Sequence, residues 1–108
     1  MKKQEVVKSK IDFNTIIKNS PFFKNKSFIL YIRKKEETNK KFGIAVSKKL
    51  GNAVVRNKLK RQVRAIIDEL KEDFPNYYDY IIMIKKSCVD LPFINMKKEL
   101  KDLIKEIK

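Results

Sequence analysis

The residues best suited to chemistry in this sequence are cations repeated at helical spacing. Arg56, Lys60 and Arg64 are four residues apart, so a helix would place them on one face. Like charges at this spacing repel each other by roughly 0.2–0.5 kcal/mol per pair, and a merely solvated face usually alternates its signs. A binding role therefore explains the pattern better than a solvated basic face does. The predicted contact residues on this helix are Arg56, Asn57, Lys58, Lys60, Arg61 and Arg64.

The positive charge extends upstream of this helix. Residues 39–67 include nine Lys or Arg and no Asp or Glu. Lys48 and Lys49 precede Asn52, a residue type that caps helix N-termini, so two point charges lie beside free helix N–H groups. We predict that all three bind RNA with the helix. Arginines bind phosphate bidentately, and Asn57 can hydrogen-bond a base edge or a 2′-hydroxyl.

Composition speaks against a self-contained enzyme. The 108 residues carry 27 Lys or Arg against 13 Asp or Glu, a net charge of +14, yet 43% are hydrophobic, which indicates a folded basic domain. There is no His for acid–base chemistry at neutral pH, and one Cys and two Gly exclude disulfide frameworks and glycine-rich phosphate loops. Nucleic acid is the leading partner. An anionic membrane surface comes second, although no apolar run is long enough to span a bilayer.

These totals set the expected organisation of the chain. We predict a single RNA-binding domain over residues 1–108, with a flexible tail over residues 1–8. We predict no catalytic residue and no metal site in the protein. The acids Asp68, Glu69, Glu72 and Asp73 fit a solvated helix end better than a metal site, because no His accompanies them. A single cysteine fits a reducing, cytoplasmic compartment.

The hydrophobic pattern predicts an α+β fold, an α-β sandwich with one small, mostly antiparallel sheet and three helices in the order α-β-β-β-α-β-α. Ser9 or Asp12 can cap the first helix, and residues 28–33 and 42–46 are expected to pair as an antiparallel hairpin. The other expected elements are an edge strand at residues 22–23, a helix from 53 to about 73, a strand at 80–84 and a last helix from about 90. The predicted core includes Phe22, Phe23, Phe28, Phe42, Phe74, Cys88 and Phe93, with Ile94, Leu100, Leu103, Ile104 and Ile107 along the last helix.

Residues 43–66 closely resemble the signature of the bacterial ribonuclease P protein subunit family. That signature is V-S-K-K-x-G-N-A-V-x-R-N-x-x-K-R-x-x-R, and every fixed position matches between Val46 and Arg64. Weaker matches occur at Asp12-Phe13 and in the segments 28–32 and 79–83. Chance agreement over such a run is negligible, so the sequence is identified as similar to this family over nearly its whole length.

The resemblance implies a left-handed β-α-β crossover and a non-catalytic protein subunit, monomeric within an endoribonuclease ribonucleoprotein. The implied partners are a large catalytic RNA, whose bound Mg²⁺ ions perform the hydrolysis, and precursor tRNA, whose 5′ leader is removed. By position, the leader cleft between the sheet and the first helix is lined by Phe13, Ile17 and Tyr31. Ile17 stands where an aromatic residue is common in the family.

Two other functions are compatible with parts of the sequence. A general RNA-binding or ribosomal protein would fit the composition but not the intact signature. A protein-only nuclease would need clustered carboxylates for two metal ions. Reconstitution with the catalytic RNA tests the first alternative, which predicts that added protein leaves cleavage at low Mg²⁺ unchanged. An assay of protein free of RNA tests the second, which predicts cleavage of precursor tRNA.

Overall fold

Three helices and four strands follow one another along the described part of the chain in the order that the sequence predicts. The computed structural model describes residues 5–7 and 9–107. The elements are α1 (Lys10–Asn19), β1 (Phe22–Lys24), β2 (Phe28–Lys34), β3 (Lys41–Val46), α2 (Ala53–Leu70), β4 (Tyr78–Ile84) and α3 (Phe93–Ile104). The predicted α+β class is confirmed. None of these helices is long and apolar enough to cross a membrane.

The sheet differs from the predicted hairpin in the position of its last strand. Its order is β1-β2-β4-β3, with β1/β2 and β2/β4 antiparallel and β3/β4 parallel. The prediction that β2 pairs with β3 is wrong, because β4 lies between them. Tyr80, Ile81 and Ile82 are all fully buried, so both faces of β4 are apolar. A strand of this kind needs cover on both faces, which a position inside the sheet provides. Because β3 and β4 are parallel neighbours, the connection between them, which contains α2, is a crossover connection.

Both predicted helix N-termini are capped by side chains. Ser9 Oγ accepts a hydrogen bond from the Asp12 N–H at 3.2 Å, so Ser9 rather than Asp12 is the cap of α1. Asn52 Oδ1 accepts from the Val55 N–H at 3.0 Å and starts α2. The α-helical part of α2 ends at Leu70, and the predicted last turn is a 3-10 turn over Lys71–Asp73.

The helices cover the two faces of the sheet unequally. One face packs against α2 and α3 around a ring cluster, in which the Phe74 centroid lies 4.9 Å from those of Phe42 and Tyr80. The other face carries α1, whose Ile16 is buried against Ile81. On α3 the predicted buried side is confirmed except at Ile94, which is 70% exposed, while Met96 is buried instead. Burial also raises the pKa of the Cys88 thiol to about 11, which matches its prediction as a buried apolar residue.

The predicted phenylalanine core is correct in part. Phe28, Phe42 and Phe74 are buried, and Phe23 and Phe93 are partly buried against the same core. Phe22 is 53% exposed, so its assignment to the core is wrong. The physical reason is its place on β1, an edge strand of three residues, on the sheet face that α1 covers incompletely.

Part of the predicted N-terminal tail packs on the fold. Val6 forms a parallel bridge with Phe42, the Val7 N–H donates to the Phe42 carbonyl at 3.0 Å, and Val7 is buried. Residues 1–4 and 8 of that predicted tail lie outside the described residues. The segment 5–7 therefore extends the edge of the sheet beside β3.

Candidate nucleic-acid interface

The helix α2 separates its apolar and cationic residues as its sequence predicts. Leu59, Val63 and Ile66 are buried against the sheet and α3. On its other faces Lys60 is half-buried and Arg64 is exposed. The apolar side fixes the helix on the sandwich, so the cationic side forms a rigid ridge beside it. This cationic ridge consists of Arg56, Asn57, Lys58, Lys60, Arg61 and Arg64.

The charges of the cationic ridge are not paired with carboxylates of the described chain. Within residues 5–7 and 9–107, ion pairs join Arg33, Lys35, Lys71 and Lys97 to carboxylates, and none of these cations belongs to the ridge. The acids of α2 lie near its other end, where Glu69 pairs with Lys97. The positive surface of the ridge is therefore open to an external anion.

One cation of the ridge also has a buried hydrogen-bond donor without an acceptor. Arg56 Nε is shielded from solvent and has no hydrogen-bond partner in the described part of the chain. An unsatisfied buried donor costs about 1–3 kcal/mol, more when it is charged. Rotation of the Arg56 side chain toward a bound phosphate would release Nε from this shielded position and give it an acceptor.

The loop before α2 places its residues as the sequence predicts. Lys48 and Lys49 are exposed on a 3-10 turn, and Ser47 Oγ accepts from the Lys49 N–H at 3.2 Å. Asn52 is exposed, but its side-chain oxygen is engaged as the helix cap. The two lysines are thus the charged groups at this end of α2, and Asn52 acts first on the helix itself.

A groove brings α1, β3 and the cationic ridge together. It has a volume of about 340 Å³, and Phe13 and Gly43 line it together with Lys60 and Arg64. Phe13 is partly buried, packing on Val7, Ile16 and Ile81. An aromatic ring and two cations therefore share one concave surface. This joins two sets of residues that the sequence analysis predicted separately, the cleft and the basic helix.

Gly43 allows Phe13 to lie against the sheet. A Cβ atom at this position would lie 2.6 Å from Ile81 Cδ1 and 2.7 Å from Phe13 Cε2. Both distances are far below van der Waals contact. The face of β3 that carries Gly43 is therefore the face on which the first helix rests.

The other predicted cleft residues share this sheet face. Tyr31 and Ile17 are partly buried and pack on the same cluster as Phe13. Strand register places Tyr31 directly beside Ile81, and Ile81 beside Gly43. The structure thus groups all three predicted cleft residues around α1 and the middle of the sheet.

A charge network that the sequence analysis missed ties α1 to the sheet. Arg33 Nη1 donates to Asp12 Oδ1 at 2.6 Å, and Arg33 Nη2 donates to Asp79 Oδ2 at 2.6 Å. Lys35 completes the neutralisation of Asp79, which is 3% exposed. The hydrogen bonds from Arg33 hold the pKa of the Asp12 carboxyl below its ordinary value. The signal in the sequence was an Arg and an Asp within otherwise apolar strands.

Metal binding has little support from the described side chains. They contain no group of three His, Cys, Asp or Glu placed to hold a metal ion. The carboxylates of Asp12 and Asp79, which join α1 to the sheet, already face Arg33 and Lys35. The cations of the ridge, which have no carboxylate partner among the described residues, can bind anions at this surface.

Comparison with known proteins extends the similarity to the full chain. A family model described as Ribonuclease P matches residues 1–108. The chain is 42% identical over 109 residues to the ribonuclease P protein component of Mycoplasma capricolum, with 100% of both chains covered. It is 38% identical over 101 residues to that of Bacillus cereus, covering 93% of this chain and 88% of the relative. The structure of the RNase P protein from Thermotoga maritima matches with a TM-score of 0.88 at 30% identity, covering 96% of this chain and 98% of that one.

Proposed function

The chain belongs to the ribonuclease P protein family, and we propose that it binds the catalytic RNA of that enzyme and the 5′ leader of precursor tRNA. Family membership gives it a role in an endoribonuclease ribonucleoprotein that processes tRNA. In the proposal the RNA subunit breaks the phosphodiester bond. One copy of the protein, acting in the cytoplasm, positions the leader so that removal yields the mature 5′ end.

The groove between α1 and the cationic ridge is the observation that carries this proposal. Single-stranded RNA is held by aromatic rings that stack on bases and by cations that contact its phosphates. Phe13 supplies a ring, and Lys60 and Arg64 supply cations on the same concave surface. A duplex would not expose its bases to Phe13, so the groove fits an unpaired strand such as the leader.

The rest of the cationic ridge is proposed to contact the catalytic RNA. Arg56, Lys58 and Arg61 have no carboxylate partners in the described part of the chain, so they can neutralise phosphates without first breaking ion pairs. The contribution to catalysis is electrostatic, because cations placed between two RNAs lower their mutual repulsion.

Magnesium ions enter this proposal only through the RNA. The described carboxylates do not form a metal-binding group, and Asp12 and Asp79 are neutralised by neighbouring cations. We propose that phosphates of the catalytic RNA and substrate hold the Mg²⁺ ions that the reaction uses. The protein favours their occupancy by reducing the repulsion that drives two polyanions apart.

Reconstitution with the catalytic RNA tests the function. At low Mg²⁺ concentration, addition of the protein should accelerate cleavage of precursor tRNA and tighten binding of leader-bearing substrate more than of mature tRNA. Phe13→Ala should reduce the leader-dependent part of that gain. Unchanged cleavage on addition of protein would indicate a general RNA-binding module instead. Cleavage by the protein free of RNA would indicate a protein nuclease.

A further inference from the structure

Phe22 is an exposed aromatic residue on the same sheet face as the proposed leader groove. Its side chain is 53% exposed, and its ring centroid lies 5.7 Å from that of Tyr31 at an interplanar angle of 51°. A large apolar side chain left in water on an edge strand gains little for folding. About half of the ring surface is therefore free for a contact outside the chain.

Strand register places Phe22 at the end of a row that crosses the whole sheet. Phe22 is paired with Tyr31, Tyr31 with Ile81, and Ile81 with Gly43, against which Phe13 packs. Neighbouring strands lie about 4.8 Å apart, so the row spans roughly 14 Å from Phe22 to the Phe13 end. This distance is longer than one nucleobase. An RNA strand that contacts both ends of the row would therefore place different nucleotides on Phe13 and Phe22.

The sheet face beside this row is also left open by α1. Ile29, Met83 and Ala45 form the adjacent row by register, and all three are only partly buried. Lys24 is exposed two residues after Phe22, on the same side of β1 by strand alternation. The surface near Phe22 thus lies on the same sheet face as Phe13, and Lys24 adds a cation for a phosphate.

The aromatic groups of the cleft are unevenly distributed. Ile17, one of the three predicted cleft residues, is aliphatic and offers no ring for stacking. Phe22 and Tyr31 supply two rings in contact beside it. A stacked base on an aromatic ring contributes about 1–3 kcal/mol, more than an aliphatic contact of similar size.

We propose that Phe22, with Tyr31 beneath it, forms a second stacking position for a nucleobase of the single-stranded leader. The inference rests on the proposed function, since it adds a contact for the same leader at the edge strand β1. Lys24 contacts the adjacent phosphate. A second copy of this chain pairing through β1 is the competing occupant, and the experiment below separates the two.

Binding of the reconstituted holoenzyme to leader-bearing and mature tRNA tests the proposal. Phe22→Ala should weaken affinity for leader-bearing tRNA about tenfold, corresponding to about 1.4 kcal/mol, and leave affinity for mature tRNA unchanged. The matched control is Ile94→Ala, which removes an even more exposed apolar side chain on α3 and should change neither affinity. Equal loss for both tRNAs, or no loss for either, would overturn the assignment.

A fluorescence probe reports stacking directly. The chain has no Trp, so Phe22→Trp creates a single-tryptophan protein, and Ile94→Trp is its control. Leader-bearing tRNA should quench the emission of Phe22→Trp more than mature tRNA does, with no such difference for Ile94→Trp. Equal quenching by both tRNAs would contradict the proposal.

The outcomes also distinguish failure of this inference from failure of the proposed function. If wild-type holoenzyme discriminates leader-bearing from mature tRNA and Phe22→Ala does so equally well, the function stands and the Phe22 site is wrong. If wild-type holoenzyme shows no discrimination, the proposed function itself fails. A concentration-dependent dimer of the free protein that Phe22→Ala abolishes, with tRNA affinities intact, would assign Phe22 to self-association instead.

Discussion

Arg64 occupies the point where the cationic ridge meets the groove, and its charge is open to solvent. It has no carboxylate partner in the described part of the chain, so removing it breaks no internal ion pair. Arg64→Ala should therefore weaken holoenzyme assembly or precursor tRNA binding and lower the slope of log K against log salt by about one unit. Lys105→Ala, at an exposed lysine after α3, should leave both quantities unchanged. Unchanged affinity and slope in Arg64→Ala would contradict the assignment.

Gly43 is the backbone position on which the placement of Phe13 depends. Because a Cβ would overlap two side chains, Gly43→Ala should lower the free energy of unfolding by about 1–3 kcal/mol and reduce discrimination for the leader. In a Phe13→Ala background one of the two overlapping groups is absent, so the same substitution should cost less. Urea denaturation of the four proteins measures this difference, and an identical cost in both backgrounds would show that Gly43 does not position Phe13.

The role of an individual side chain can be predicted from sequence where the residue type alone determines its chemistry. The cations of the ridge break local rules of helix charge, and that departure is visible in the sequence itself. Phe22 was assigned to the core because a phenylalanine in a strand is usually buried, and only the incomplete cover by α1 reverses that. The contact of Arg33 with Asp12 and Asp79 joins three distant segments, so no local pattern contains it.

The helix α1 is held at its N-terminal end by the ion pair between Asp12 and Arg33. The depressed pKa of Asp12 has a clear consequence for the pH dependence of stability. A carboxyl whose pKa is lower in the folded state contributes stability above its ordinary value of 3.8, and that contribution is lost as pH falls through the folded pKa. The tether of α1 should therefore weaken in acid.

Asp12→Asn measures this tether. At pH 7 it should lower the free energy of unfolding by about 1 kcal/mol, the upper end for partly exposed ion pairs, because Arg33 contacts both carboxylate oxygens. The difference from wild type should shrink as pH falls from 3.8 through the lowered pKa of the folded state, because the wild-type carboxyl then becomes neutral, as the Asn amide is. Asp102→Asn, at an exposed carboxylate on α3, should have no comparable effect at pH 7. A difference that stays constant down to pH 2 would rule out the ion pair as its source.

The elements themselves followed from sequence more readily than their arrangement did. Caps, proline stops and apolar periodicity are local, so the order of helices and strands was predicted correctly. The pairing of strands is decided by which strand needs burial on both faces. Because β4 is apolar on both, it lies between β2 and β3, and the groove then forms between α1 and the β3–α2 side of the sheet.

The distribution of charge over the entire protein links its stability to its function. A net charge of +14 on 108 residues opposes compaction, and the cations of the ridge are not neutralised by carboxylates of the described chain. Salt screens this repulsion in the free protein but also competes with RNA for the same cations. Stability and RNA affinity should therefore respond to salt in opposite directions.

Urea denaturation of the free protein over a salt series tests this opposition. The midpoint should rise between about 10 mM and 500 mM NaCl, because the Debye length falls from about 30 Å to less than about 8 Å and repulsion across the surface is screened. The double substitution Lys98→Gln and Lys101→Gln removes two exposed charges on α3 that do not line the groove, and it should reduce the size of that rise. Over the same series precursor tRNA affinity of the holoenzyme should fall. A midpoint that does not change with salt, or that falls, would show that the ridge is retained at no cost to the stability of the fold.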